Sequence, residues 1–267
     1  MSKSVKRRRQ ELLEYLGNQH AMTIRQMSEE LGVSQSTLRR DLDAMEEEGL
    51  VERIHGSARL VQFGNRPMDM RELWFFNRQD VAVAEKQAIA RAAIELVAPD
   101  DVIVMDSSTT GLHFAKNLPT DFSLTVITHS AYLPVELSTR SDLQVISTGG
   151  LLQPKSMCYV GLEAETAFHN LHAHRAFFGA KGLSLREGCT DVSPLEVRLK
   201  SVMLKKVQEL VILADHTKLG NIALASFAPV SRISTLITDE GADPDFVDAL
   251  RRQRVNVIVA PLLANHA

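Results

Sequence analysis

The sequence predicts an α/β protein in two parts: a small helical unit closed by a hairpin, then a larger unit built on a mainly parallel sheet with helices on both faces. Three observations predict it. Residues 1–62 carry the hydrophobic period of short helices punctuated by glycine; residues 85–267 switch to short apolar runs separated by helical stretches; residues 63–80 show no strong period. A length of 267 residues accommodates two ordinary domains.

Composition bounds the class. With 45% hydrophobic and 24% charged residues the chain is expected to fold throughout, which excludes disordered and fibrous classes. No uncharged apolar run reaches about 18 residues, and Met1–Gln10 are charged where a signal sequence would be apolar. A cytoplasmic protein without a membrane partner is expected. Cys158 and Cys189 lie too far apart for a CxxC pair and are too few for a disulfide framework, so both read as core or incidental residues. A net charge of −3 argues against general adhesion to nucleic acid; any such binding must come from local charge, as in Lys3, Lys6, Arg7, Arg8 and Arg9, or Arg39 and Arg40.

The elements of the first part follow in order. Leu12, Leu13 and Leu16 give a helix that stops near Gly17. Thr23 suits the N-cap of a second helix, in which Ile24, Met27 and Leu31 form one stripe and Gly32 supplies the turn. Ser34 caps a third, with Leu38, Leu42 and Met45 on one face and an end at Gly49. Leu50–Ile54 and Ala58–Gln62 then read as strands around His55-Gly56-Ser57, a hairpin of the kind called a wing. Residues 1–62 thus read as a winged helix-turn-helix DNA-binding domain, and residues 63–84 as a linker in which Trp74-Phe75-Phe76 is an exposed apolar docking patch.

A helix-turn-helix presents the N-terminal residues of its second helix to base edges in the major groove. Here those are Gln35, Ser36, Thr37, Arg39 and Arg40. Glutamine bonds adenine bidentately and arginine bonds guanine, while hydroxyls and helix N-termini suit phosphate oxygens. Thr23, Ser34, Arg53 and His55 complete the DNA-facing candidates. The residues Val33-Ser34-Gln35-Ser36-Thr37-Leu38-Arg39-Arg40-Asp41-Leu42, followed by Gly49-Leu50-Val51 and Arg53-Ile54-His55-Gly56, closely resemble the DeoR family of bacterial repressors, over most of the chain. The resemblance implies a winged helix on a double-stranded operator and a C-terminal domain sensing a phosphorylated sugar or related metabolite. Ser57 stands where that family often has a second glycine.

In the second part, Glu85–Val97 reads as a helix. Val102–Met105, Leu124–Ile127, Leu143–Ile146, Ala176–Phe178, Leu210–Ala214, Thr235–Thr238 and Val255–Val259 read as strands of a Rossmann-like, mainly parallel sheet. Ser193-Pro194-Leu195-Glu196 is a capping box, and Asp243-Pro244 opens a later helix. The first strand runs into Asp106, Ser107, Ser108, Thr109 and Thr110. These residues fit equally an anion-binding turn at a helix N-terminus and an ordinary hydroxyl cap. The family's similarity to ribose-phosphate isomerases in this domain implies a phosphate near this loop, with Ser108 standing where glycine is usual.

Other strand ends carry Thr128-His129-Ser130, Gly149-Gly150 and Lys181-Gly182, expected to share one effector crevice. Asp215-His216-Thr217-Lys218-Leu219-Gly220 resembles a family signature, its Lys218 suited to an anionic effector or to a surface salt bridge. Glu196 and Lys200, four apart, suggest a local ion pair, and the resemblance places their helix beside the pocket; for Glu196 the capping role suffices. His169, His172 and His174 have no acidic or cysteine partner at a recognised ligand spacing, and no metal or cofactor is expected. The competing class is a sugar-phosphate isomerase with an appended DNA-binding domain. In the isomerase-like pattern an acid stands in the strand near Ala176-Phe177-Phe178, where this chain has His174-Arg175, and Asp106, Ser108 and His129 lack a nucleophile-elbow context. The expected assembly is a homo-oligomer, a dimer or tetramer, reading paired half-sites.

Overall fold

A computed structural model describes residues 5–18, 22–47, 51–54, 57–60, 74–120 and 123–262. The chain divides into two compact units, Met1–Trp74 and Phe75–Ala267.

In the first unit α1 (Val5–Asn18) precedes β1 (Met22–Thr23), α2 (Ile24–Leu31), α3 (Gln35–Glu47), β2 (Val51–Ile54) and β3 (Ser57–Leu60). Thr23 and Gln26 form a reciprocal capping box, and Gly32, at φ 65°, takes the left-handed conformation that ends α2. The three predicted stripes meet in one core: Leu12, Leu13, Leu16, Ile24, Met27, Leu31, Leu38, Leu42 and Met45 are all buried there. The hairpin pairs Ile54 with Ser57 and Val51 with Leu60, and β1 adds a third strand along β3. Ser57 is therefore a strand residue and not part of the turn. His55, Gly56 and Gly49 lie outside the described residues.

The second unit runs α4 (Trp74–Gln79), α5 (Val83–Ile94), β4 (Val102–Met105), α6 (Thr109–Lys116), β5 (Leu124–Thr128), α7 (Leu133–Glu136), β6 (Leu143–Ser147), β7 (Leu151–Gln153), β8 (Cys158–Val160) and α8 (Leu162–Ala167). It continues with β9 (Ala173–Gly179), β10 (Gly182–Ser184), β11 (Gly188–Asp191), α9 (Pro194–Met203), β12 (Val207–Leu213), β13 (Ala225–Ala228), β14 (Thr235–Asp239), α10 (Pro244–Arg252) and β15 (Asn256–Ala260). The seven predicted strands form one parallel sheet in the order β15-β14-β12-β9-β4-β5-β6. Alternation along the strands feeds two cores. Val104, Phe178, Ile212 and Leu236 pack with residues of α8, α9 and α10, and Met105, Phe177, Leu213 and Ile237 with residues of α5, α6 and α7. Both faces are covered, as the near-continuous apolar runs require.

The linker expectation needs correction. Trp74–Gln79 is a helix, α5 starts at Val83, and Phe75, 1% exposed, is no docking patch but part of the core with Met105 and Phe114. Six residues are too few to display a helical period, which hid the element. The antiparallel pairs β7–β8 and β10–β11–β13 were also unforeseen; they are short, and glycines and polar residues break their alternation.

Candidate functional site

Two sites emerge, one per unit. On α3, Gln35, Ser36, Arg39 and Arg40 are exposed, whereas Leu38, Leu42 and Met45 are buried. Ser34 Oγ accepts from Thr37 N at 3.3 Å and shares hydrogen bonds with the hydroxyls of Thr37 (2.8 Å) and Ser36 (3.0 Å). Thr23 caps α2 and remains exposed. Arg53 lies on β2; His55 is outside the described residues. Arg8, read in the sequence as one more residue of a basic cluster, is instead 6% exposed and forms a buried pair with Asp41, itself 5% exposed. Arg8 Nη2 donates to Asp41 Oδ1 at 3.2 Å, tying α1 to the exposed helix. The carboxylate raises the guanidinium pKa further through that side-chain bond.

The second site lies at the carboxyl ends of β4 and β9, where the strand order reverses: β5 and β6 extend the sheet one way from β4, and β9, β12, β14 and β15 the other. Open parallel sheets bind ligands at such a switch point. Asp106, 1% exposed, accepts from Ser108 N (3.0 Å) and from Gly179 N (2.9 Å), closing the two strand ends on each other. A Cβ at Gly179 would lie 2.5 Å from Ser108 Cβ, so only glycine permits that approach. Ser108 caps α6, its Oγ accepting from Gly111 N at 3.0 Å. Ser107, Thr109 and Thr110 are buried around it, and among the described residues nothing accepts from the backbone N–H of Thr109 or Thr110.

Lys200, 2% exposed, spends its ammonium within the protein: on Asp106 Oδ2 at 2.9 Å, Asp191 Oδ2 at 3.0 Å and the Gly179 carbonyl at 3.1 Å. Burial alone lowers its pKa, but Asp106, Asp191 and Glu196 more than reverse this and hold it raised. The local Glu196–Lys200 pair suggested by spacing does not form, because tertiary carboxylates outcompete it, and Lys200 is an internal brace. Only the Ser193 half of the capping box is present, Ser193 Oγ accepting from Glu196 N at 3.3 Å.

The other expected residues stand at the same end of the sheet. Thr128 Oγ1 donates to the Met105 carbonyl at 2.8 Å and accepts from Ser130 N; Ser130 Oγ accepts from Tyr132 N and Leu133 N at the start of α7. His129 is fully buried, and burial lowers its pKa, keeping the imidazole neutral. Gly149 and Gly150 join β6 to β7, two strands or roughly 10 Å from β4. Lys181 N donates to the Thr190 carbonyl at 2.9 Å, and Gly182 opens β10. Asp215, 2% exposed, accepts from Thr217 N, and Lys218 Nζ lies 3.6 Å from Asp215 Oδ2, the local ion pair of the blander alternative.

Two cations whose pKa values burial lowers were not foreseen. Arg78, on α4 inside the expected linker, has its pKa lowered by burial, against the opposing charges of Glu196, Asp191 and Asp106. Lys86 on α5, 5% exposed, donates to the carbonyls of Arg78 and Val81, and burial depresses its pKa to about 8. Conversely, His174 stands at the amino end of β9, where it accepts from Val102 N at 3.0 Å and meets Asp101 at 3.2 Å. That position is about five residues, roughly 16 Å, from the crevice, so an acid missing there says nothing about catalysis.

Comparison with known proteins covers both units. Residues 8–62 match the DeoR-like helix-turn-helix domain, and residues 81–240 match the DeoR C terminal sensor domain. The chain is 35% identical to the uncharacterized HTH-type transcriptional regulator YulB of Bacillus subtilis, over 97% of this chain and 98% of that one. It is 36% identical to the HTH-type transcriptional regulator GolR of Listeria innocua, over 87% and 89%, and 30% identical to the L-fucose operon activator of Escherichia coli, over 87% and 94%. A solved ribose 5-phosphate isomerase A from Methanocaldococcus jannaschii overlaps 50% of this chain and 53% of its own at 16% identity and a TM-score of 0.38, too loosely to bear on function.

Proposed function

The chain belongs to the DeoR family of helix-turn-helix transcription regulators, and from that premise we propose a repressor of carbohydrate-metabolism genes whose operator affinity is set by a phosphorylated sugar or related metabolite bound at the β4–β9 crevice. One observation carries the effector half. The first-turn N–H groups of Thr109 and Thr110 find no acceptor among the described residues, at the positive end of a helix capped by Ser108. The charge of Arg78 couples to those of Glu196, Asp191 and Asp106. Asp106, Thr128, Ser130, Lys181 and Asp215 shape the surroundings, and Lys218 offers a further cation.

The operator half rests on Gln35, Ser36, Arg39 and Arg40 for base edges and phosphates, with Arg53 and His55 as further candidates. Reading two half-sites about 34 Å apart calls for a homo-oligomer. No helix of the described residues is long and apolar enough to cross a membrane, and the proposed compartment is the cytoplasm, where the operator is.

A thermal-shift screen of sugar phosphates beside their unphosphorylated parents tests the proposal. Stabilisation confined to phosphorylated compounds is expected, by about 2.7 kcal/mol at a hundred times Kd. Equal shifts from the parents, or none from either set, would refute it.

A further inference from the structure

Among the described residues of the crevice, His129 has a buried ring atom left unused. Its Nδ1 lies 3.3 Å from the Tyr159 carbonyl, and Tyr159 N donates to the His129 carbonyl at 2.7 Å, so β8 grips the residue by both backbone and ring. A carbonyl accepts and never donates, so the proton of the neutral imidazole sits on Nδ1. Nε2 then presents a bare lone pair. It is inaccessible to solvent and meets no hydrogen-bond partner. Buried polar atoms in this condition are rare in native proteins and call for an explanation. His129 directly follows β5, which pairs with β4, and its neighbour Thr128 donates to the Met105 carbonyl at 2.8 Å, so the residue stands beside the carboxyl end of β4 next to Asp106.

We infer that His129 Nε2 is the acceptor for a hydroxyl of the bound effector, which makes the ligand a polyhydroxylated carbon chain bearing a phosphate and divides the crevice into an anion end at Ser108–Thr110 and a hydroxyl-reading end at His129. The inference rests on the effector reading above. Its chemistry separates the two ends: a lone pair fixed by the Tyr159 carbonyl repels a phosphate oxygen and attracts an O–H, whereas the amides of the α6 first turn do the reverse. An ordinary serine or asparagine there would accept or donate by rotating; this ring, held at Nδ1, only accepts. His129 is accordingly a specificity residue, and the phosphate contacts do not depend on it.

The test compares full-length wild type with His129→Phe and His129→Asn, measuring Kd for inorganic phosphate and for a panel of pentose and hexose monophosphates by calorimetry. Wild type should favour at least one sugar phosphate over inorganic phosphate. In His129→Phe that advantage should shrink about tenfold, the worth of one buried hydrogen bond, while the Kd for inorganic phosphate stays unchanged. His129→Asn, which keeps a polar side chain, guards against a folding defect and should lose part of the same advantage. In the unmutated protein, 15N spectra should show a protonated Nδ1 and a bare Nε2, the latter shifting upfield with the preferred sugar phosphate and not with inorganic phosphate. An advantage preserved in both variants, or an Nε2 already protonated in the free protein, overturns the inference and leaves the effector reading standing. Wild type that binds none of the panel overturns both.

Discussion

Arg39 is exposed on α3, one residue past the buried Leu38, and forms no ion pair among the described residues, while Arg8 is consumed by Asp41. Arg39→Ala should weaken specific operator binding by about 1–3 kcal/mol, measured by fluorescence anisotropy against salt concentration; unchanged affinity and unchanged salt slope would remove it from the interface. Lys200 and Lys218 should behave oppositely. Lys200→Met strands Asp106 and Asp191 in the interior and should cost about 3–5 kcal/mol in urea unfolding. Lys218, half-exposed beside Asp215, should cost under about 1 kcal/mol as alanine and leave DNA binding intact, while blunting the response to sugar phosphate. An equal loss of stability in the two variants would contradict the different roles assigned to them. Asp106 was legible as a site residue because it ends an apolar strand. Arg78 was not, since nothing in its own neighbourhood tells that its charge couples to Glu196 and Asp191 far along the chain.

Elements were legible in proportion to how much local pattern they carry. β4 was read at its observed bounds because a parallel strand buried on both faces is a bare apolar run; β9 was read as three residues although it spans Ala173–Gly179, since His174 and Arg175 at its exposed amino end look like loop. Strands of three or four residues such as β10 and β11 are held by tertiary pairing and leave no such trace. The crevice was half legible: strand ends are visible in sequence, but the order that brings β4 next to β9 is not. Gly179→Ala probes that junction. Its new methyl would collide with Ser108, so the turn and the α6 cap must shift. Phosphate-dependent stabilisation should fall by at least tenfold in Kd, about 1.4 kcal/mol, while the seven-stranded sheet persists by circular dichroism; intact affinity would show that the turn tolerates displacement.

At the scale of the whole molecule, stability and pH are linked through Lys86. Its folded pKa of about 8 lies below the ordinary 10.5 of the unfolded chain, mainly because burial disfavours the charged ammonium. Between those values the unfolded chain holds more protons, so the contribution of this group to stability rises with pH across that window. Cys158 and Cys189, pushed by burial from 9.0 up to about 12, act in the opposite sense above pH 9. The rise should therefore be clearest as the difference between wild type and Lys86→Met in urea melts from pH 7 to 9, and a flat difference would contradict a buried charge. Coupling is likewise a property of the whole: an effector that weakens operator binding must bind the operator complex more weakly by the same factor, which paired titrations will show.

The burial of Phe75 and the coupling of Arg78 to Glu196, Asp191 and Asp106 have a consequence for how such regulators are recombined. A chimera that exchanges the reading head upstream of Trp74 inherits an intact receiver. One spliced at Glu85, where the periodic pattern resumes, would discard a core aromatic and a coupled cation together. The seam for grafting lies earlier in the chain than its hydrophobic rhythm advertises.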